Sequence, residues 1–156
     1  MVCFFVLYQN QRPERICRGK VIDKQLCQFC RTDRTDLYVD EEEKLHVAYR
    51  AIINGSIQDM THMVSSDNGN TFSKPERISA DNWVINGCMH TAPTMAFNKK
   101  GMHFAWYTLG GGSGVYYNRK PAGQPFSARE PVSTMASAKL PQMTVLRNGK
   151  TLTGPG

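Results

Sequence analysis

The fold is decided by the stretch Asp40-Glu-Glu-Glu-Lys-Leu-His-Val-Ala-Tyr-Arg50. A similar stretch, Phe97-Asn-Lys-Lys-Gly-Met-His-Phe-Ala-Trp-Tyr107, lines up with it at an offset of 57 residues. In both copies apolar and polar residues alternate along the chain, and turn residues follow. These are Asn-Gly after the first copy and a glycine-rich run after the second. This is the pattern of a β-strand that ends in a turn. Self-similarity at a fixed period predicts a fold built from repeated units.

A second pair of matching segments extends the repeat. Phe72-Ser-Lys-Pro-Glu-Arg-Ile-Ser79 lines up with Phe126-Ser-Ala-Arg-Glu-Pro-Val-Ser133 at an offset of 54, so three residues are lost between the matched segments, as a difference in loop length would leave. Each unit is predicted to contain four short strands. We place them near residues 36–40, 45–50, 59–65 and 75–78 in the first full unit and near 94–97, 102–107, 114–118 and 130–133 in the second.

The predicted class is all-β, because no stretch of the chain has a convincing helical period with caps. Further strands are predicted at 2–8, 16–22, 142–146 and 150–152. Four-stranded antiparallel units with a period of about 40–50 residues are typical of β-propeller blades. We therefore interpret the chain, residues 1–156, as a single partial propeller domain. Its divisions are a partial blade at 1–30, blades at 31–80 and 81–134, and the start of the next blade at 135–156.

About three blades' worth of strands make an incomplete ring, since a closed propeller needs about four to eight blades. Unpaired sheet edges are therefore expected. A partial sequence is the favoured explanation, because residues 151–156 do not bring the last strand to a natural stop. Self-association of copies through the unpaired blade edges is the alternative.

Composition excludes several classes of protein. With 40 % hydrophobic and 21 % charged residues among 156, disorder and a coiled coil are not expected. No apolar run approaches the ~20 residues of a membrane span. The apolar start, residues 2–8, lacks the flanks of a signal peptide and is interpreted as a strand, so no export signal is visible and the compartment stays open.

Charge and cysteine content restrict partners and cofactors. The net charge of +6 favours an anionic partner, but the chain has no RNA-binding signature or basic helix, so nucleic acid is not expected. Cys27 and Cys30 form a lone C-x-x-C among five cysteines and are interpreted as buried thiols. His46 and His103 recur at one position of the repeat, which favours repeated structure over zinc binding. No metal and no cofactor are predicted.

One motif points to a family. The stretch Ser65-Ser-Asp67-Asn-Gly69-Asn-Thr71-Phe72 fits the pattern S-x-D-x-G-x-T-F, in which the aspartate can accept backbone N–H groups in a tight turn and the glycine can supply a positive φ. This pattern is the Asp box, and residues 31–138 resemble the sialidase (neuraminidase) superfamily of BNR/Asp-box repeat β-propellers. In that family the box lies between the third and fourth strands of a blade, away from the substrate. The resemblance therefore implies a structural role for Ser65, Asp67, Gly69, Thr71 and Phe72.

The second unit departs from this motif. In Arg119-Lys-Pro-Ala-Gly-Gln-Pro-Phe126, prolines replace the aspartate and the threonine of the box. The family's first arginine motif is also not recognisable, so its catalytic roles are not carried over residue by residue.

A propeller binds ligands near its axis, and the repeat indicates which loops line that face. These loops precede the first strand of each unit or follow its second strand. The catalytic residues stay unknown, with Asp33, Tyr107 and His90 as candidates. The predicted substrate-binding residues are Arg31, Arg50, Lys139 and Trp106, and Trp83 is a further aromatic residue that could stack on a sugar.

The resemblance implies a sialidase-like glycoside hydrolase of the exo-α-sialidase class, acting on terminal sialic acid or a related acidic sugar. Family members bind the substrate carboxylate with an arginine cluster and use a tyrosine nucleophile with an aspartate acid/base. The degraded second box and the missing arginine motif support an alternative, a non-catalytic Asp-box propeller that binds a glycan or a protein partner.

Overall fold

A computed structural model describes residues 35–85, 87, 90–135 and 137–154. These residues form strands and loops without a helix, which confirms the all-β class. The strands are β1 (Asp36–Val39), β2 (Leu45–Ile53), β3 (Ile57–Ser65), β4 (Glu76–Arg77), β5 (Thr94–Asn98), β6 (Gly101–Thr108), β7 (Gly114–Lys120), β8 (Glu130–Ser133), β9 (Gln142–Val145) and β10 (Thr151–Gly154). The strands predicted at 2–8 and 16–22 lie outside the described residues.

The strands form two four-stranded antiparallel sheets and one two-stranded sheet. The first sheet has the order β1-β2-β3-β4, the second β5-β6-β7-β8, and the third contains β9 and β10. The first two sheets share one register, since Ala48 pairs with Asp36 and His62 while Ala105 pairs with Thr94 and Tyr117. The predicted four-stranded antiparallel units are thus confirmed.

The hairpin between β2 and β3 is tighter than the sequence predicted. Pairing continues to Ile53 opposite Ile57, so both strands extend beyond their predicted bounds. The turn accommodates this because Asn54 and Gly55 adopt positive φ angles of 52° and 82°. Asparagine and glycine tolerate that conformation best.

The main core lies between the first and second sheets. Ala48, Met60 and Ile78 contribute from the first sheet and the loop that follows it, and Met95, Met102, Phe104, Trp106 and Tyr116 contribute from the second. All eight residues of β6 are buried. This strand is therefore covered on both faces, which a central strand between packed layers requires.

The Asp-box segment connects β3 to β4. Asp67 accepts hydrogen bonds from the Ser65 hydroxyl at 2.8 Å, the Thr71 amide at 2.8 Å and the Thr71 hydroxyl at 2.6 Å. Those bonds, led by the Thr71 hydroxyl, lower the pKa of Asp67 to about 2. Gly69 has a φ of 81°, and Phe72 packs against the buried cluster of Val47, Tyr49, Ala51 and Met63. The turn chemistry expected of the motif is present.

Candidate functional site

A pocket of about 320 Å³ opens where the first strands of the three sheets begin. Strand β5 contacts both β1 and β9, so the three strands start side by side. The pocket is lined by Thr35, Asp36, Ala92, Pro93, Thr94, Leu140, Pro141 and Gln142. Its volume falls within the range of small-molecule sites, roughly 300–1,000 Å³.

The pocket lining repeats from sheet to sheet. Asp36, Thr94 and Gln142 are the first residues of β1, β5 and β9. Pro93 and Pro141 precede the latter two, and proline favours the extended backbone with which a strand begins. A position that recurs in the sequence thus supplies a carboxylate, a hydroxyl and an amide to one cavity. These groups can donate to and accept from a polyhydroxylated ligand.

Asp36 is the only ionisable residue in the lining that the structure describes. Its Oδ2 accepts the Met95 amide at 2.6 Å, and its Oδ1 accepts the Leu37 amide at 3.1 Å. Burial raises the pKa of Asp36, although both amide bonds oppose that effect. The carboxyl group therefore holds a proton to higher pH than an exposed aspartate would, which suits proton donation in a pocket.

Two predicted site residues lie next to the lining in the chain. His90 stands two residues before Ala92, and Lys139 stands immediately before Leu140; both are exposed. They are placed on two of the loops that lead into the pocket. Arg31 and Asp33 lie outside the described residues, so their predicted roles stay predictions.

Arg50 does not line this pocket, so its predicted role as a substrate ligand stays a prediction. Its side chain is buried and donates to the Gln58 carbonyl at 2.9 Å, the Tyr107 carbonyl at 2.8 Å and the Thr91 hydroxyl at 3.3 Å. The guanidinium also lies 4.8 Å from the centre of the Trp83 ring. Arg50 therefore links β2 by hydrogen bonds to the end of β6 and to the loop before β5.

The aromatic residues predicted to contact substrate are also buried. Trp106 is fully buried and donates its indole N–H to Asp81 at 2.7 Å. Tyr107 packs edge-on against Trp83, with ring centres 6.0 Å apart. Neither Trp106 nor Tyr107 lines the pocket, because β6 is covered on both faces, and Trp83 is only 6 % exposed.

Asp36, Thr94 and Gln142 were not among the predicted site residues, although predicted strands lie at or near them. The predicted residues lie on loops instead, since a propeller binds ligands through its loops. The signal was the repeat itself, because residues at one position of the repeat come together when the first strands of the units lie side by side. The first residue of each predicted first strand would have identified the lining.

Two kinds of feature are absent from the described part of the chain. No group of three or more histidine, cysteine, aspartate or glutamate side chains there could hold a metal ion. Nor does that part contain a helix with the length and hydrophobicity needed to cross a membrane.

The chain matches no protein-family model, and neither a curated protein nor a solved structure is found to be similar to it.

Proposed function

We propose that the chain forms part of a sialidase-type β-propeller, in which the first and second sheets are complete blades and the third sheet is the start of another. Three observations support this arrangement. The two four-stranded sheets are meanders in one register. Their first strands lie side by side. The Asp-box turn joins the third and fourth strands of its sheet, as the family pattern requires.

The function we propose is a sialidase-like glycoside hydrolase that acts on terminal sialic acid or a related acidic sugar. The observation that carries the proposal is the carboxyl group of Asp36 in a pocket built from the first residues of three repeats. Hydrolysis needs a group that donates a proton to the glycosidic oxygen as the bond breaks. A carboxyl whose pKa is raised by burial serves this purpose. Exposed Lys139 on an adjacent loop supports attraction of an anionic sugar.

The proposal is tested with a fluorogenic sialoside and the purified protein. Asp36→Asn retains an acceptor for the Met95 amide but cannot donate a carboxyl proton, so kcat is expected to fall by about 10²–10⁴-fold. Glu42→Gln is the matched control, because this exposed carboxylate lies in the β1–β2 turn and outside the pocket lining. Absence of hydrolysis by correctly folded wild-type protein would overturn the hydrolase proposal.

A second candidate function, a non-catalytic propeller that binds a glycan or a protein, is favoured by a different observation. Among the described lining residues Asp36 is the one carboxylate, while Arg50 and Tyr107 are occupied in the interior. The family mechanism uses a tyrosine nucleophile and an arginine cluster, and none of the described lining residues is a tyrosine or an arginine. Saturable binding of a sialylated oligosaccharide in calorimetry, weakened by Gln142→Ala and without release of sugar, would identify this function.

A further inference from the structure

A buried chain of hydrogen bonds crosses the first sheet from its β1–β2 turn to the interface with the second sheet. His46 Nε2 lies 3.1 Å from Asp40 Oδ2, and His46 Nδ1 lies 3.0 Å from His62 Nε2. The two imidazole rings are stacked, with centres 5.2 Å apart and planes 13° from parallel. The histidines are 8 % and 3 % exposed. We refer to Asp40, His46 and His62 as the histidine chain.

The hydrogen-bonding roles in the histidine chain follow from its acidic end. Ionised Asp40 can only accept, so His46 donates its Nε2–H to Asp40. His46 Nδ1 then accepts from the Nε2–H of His62. With this order, each of the two hydrogen bonds has one donor and one acceptor when both rings are neutral. When both are protonated, two N–H donors and two positive charges face each other across 3.0 Å.

The surroundings of His62 also disfavour a positive charge. Phe104 of β6 and Phe126 of the loop between β7 and β8 approach the ring edge-on, at 5.2 Å and 6.2 Å between centres. Lys120 of β7 adds a positive charge nearby. The neighbouring carboxylate of Glu76, paired in register with His62 in β4, is bonded to Lys120 at 2.5 Å. The other carboxylate, Asp40, is bonded to His46.

The second sheet contains the same arrangement with one imidazole instead of two. His103 Nε2 lies 2.7 Å from Asn98 Oδ1, and His103 Nδ1 lies 2.6 Å from the Tyr117 hydroxyl. Tyr117 occupies the register position of His62, because each pairs with the equivalent alanine of the second strand. A neutral amide and a phenol replace the carboxylate and the second imidazole, so only one group of this arrangement can gain a proton in mildly acid solution.

We propose that the histidine chain is a pH-sensitive contact that weakens the interface between the first and second sheets in mildly acid solution, and that it does so more strongly than the equivalent chain of the second sheet, which contains one imidazole. The driving event is protonation of His62 when the interface opens, because the imidazole stays neutral while it is packed beside Phe104 and Phe126. Its charge is incompatible with the apolar interface and with a second protonated imidazole.

The direction of the pH dependence follows from the pKa of His62. Burial, together with the charges of His46 and Lys120, lowers this pKa from 6.5 to about 3. Stability contributed by neutral His62 is therefore fully present above pH 6.5 and is lost progressively as the pH falls toward 3. From these two values, His62 alone raises the unfolding equilibrium constant by about 30-fold between pH 7.5 and pH 5.0.

Urea unfolding of the 156-residue chain at pH 7.5, 6.0 and 5.0 tests the proposal with two reciprocal variants. His62→Tyr copies the second sheet and is expected to remove the roughly 30-fold contribution, leaving the pH dependence of the other groups. Tyr117→His makes the converse change and is expected to steepen the pH dependence. Equal pH dependence in wild type and His62→Tyr would overturn the proposal.

A second measurement applies even if neither variant folds. The imidazole of His62 is followed by ¹⁵N nuclear magnetic resonance in the folded wild-type protein. We expect its ring to stay neutral down to pH 5.0. Protonation of His62 in the folded protein near pH 6.5 would refute the inference.

Discussion

Asp59 holds together the part of the first sheet that lies nearest the loop before β5, and its removal is the most informative test of stability. Its carboxylate is completely buried and bonded to the guanidinium of Arg77. It also accepts the backbone amides of Asn82 at 3.1 Å and Trp83 at 3.2 Å. One side chain of β3 thus anchors both β4 and the segment that follows it. We predict that Asp59→Ala destabilises the protein strongly.

The expected loss is about 3 kcal/mol of unfolding free energy. Removing one partner of a buried ion pair typically costs about 3–5 kcal/mol, because a charge is left without compensation. The Arg77 side chain is 34 % exposed and can regain water, which places the expectation at the lower end of that range. The amides of Asn82 and Trp83 also lose their acceptor, and an unsatisfied buried N–H costs about 1–3 kcal/mol unless the loop rearranges.

Urea unfolding at pH 7, followed by tryptophan fluorescence, measures this loss, since Trp83 and Trp106 are both buried. Glu42→Ala removes a carboxylate that is 72 % exposed and is expected to change stability by less than about 0.5 kcal/mol. A loss below about 1 kcal/mol for Asp59→Ala would refute the assigned role. So would a double-mutant cycle with Arg77→Ala that gives no coupling energy.

Two further predictions concern turns. Asp67→Ala is expected to lower the melting temperature at pH 7, and the difference from wild type should shrink at pH 2.5. The reason is that the folded protein lowers the pKa of Asp67 from 3.8 to about 2, so the stability that the ionised carboxylate contributes is lost as the pH falls between those values. An undiminished difference in calorimetry at pH 2.5 would contradict this. Gly101→Ala is expected to cost more than about 2 kcal/mol in urea unfolding, because φ is +112° and a Cβ would lie 2.3 Å from the Lys120 carbonyl oxygen. Gly149→Ala, with φ of +76° and open space around it, should cost only about 1 kcal/mol, and equal losses would exclude the close contact as the cause.

Much of the fold followed from local pattern. The alternation in residues 45–50 and 102–107 predicted β2 and β6, and the matched segments near 72–79 and 126–133 predicted that the first and second sheets repeat one four-stranded unit. The Asp-box turn was also predictable, because its hydrogen bonds join residues within four positions of one another. Such short-range features depend on few residues and survive differences in packing.

The candidate site was predictable only in part. The end of the sheets that carries the pocket follows from strand order, and Lys139 and His90 lie on its loops. The sequence did not show that Arg50, Tyr107 and Trp106 lie outside the lining of this pocket, because an arginine or aromatic residue at a strand end has the same sequence pattern whether it faces a ligand or a neighbouring sheet. Packing between the sheets buried all three.

By itself, the sequence determined the repeated strands, their antiparallel order and the turn chemistry at Asp67, because these depend on alternation and on contacts between near neighbours. Only the tertiary structure decided that Asp36 meets Thr94 and Gln142 in one pocket and that His46 stacks on His62 beside the second sheet. The physical reason is distance along the chain. The pocket and the covered face of His62 arise where segments distant along the chain come together, as Asp36 does with Thr94 and His62 with Phe104, and no local pattern encodes which face of a strand its neighbour will cover.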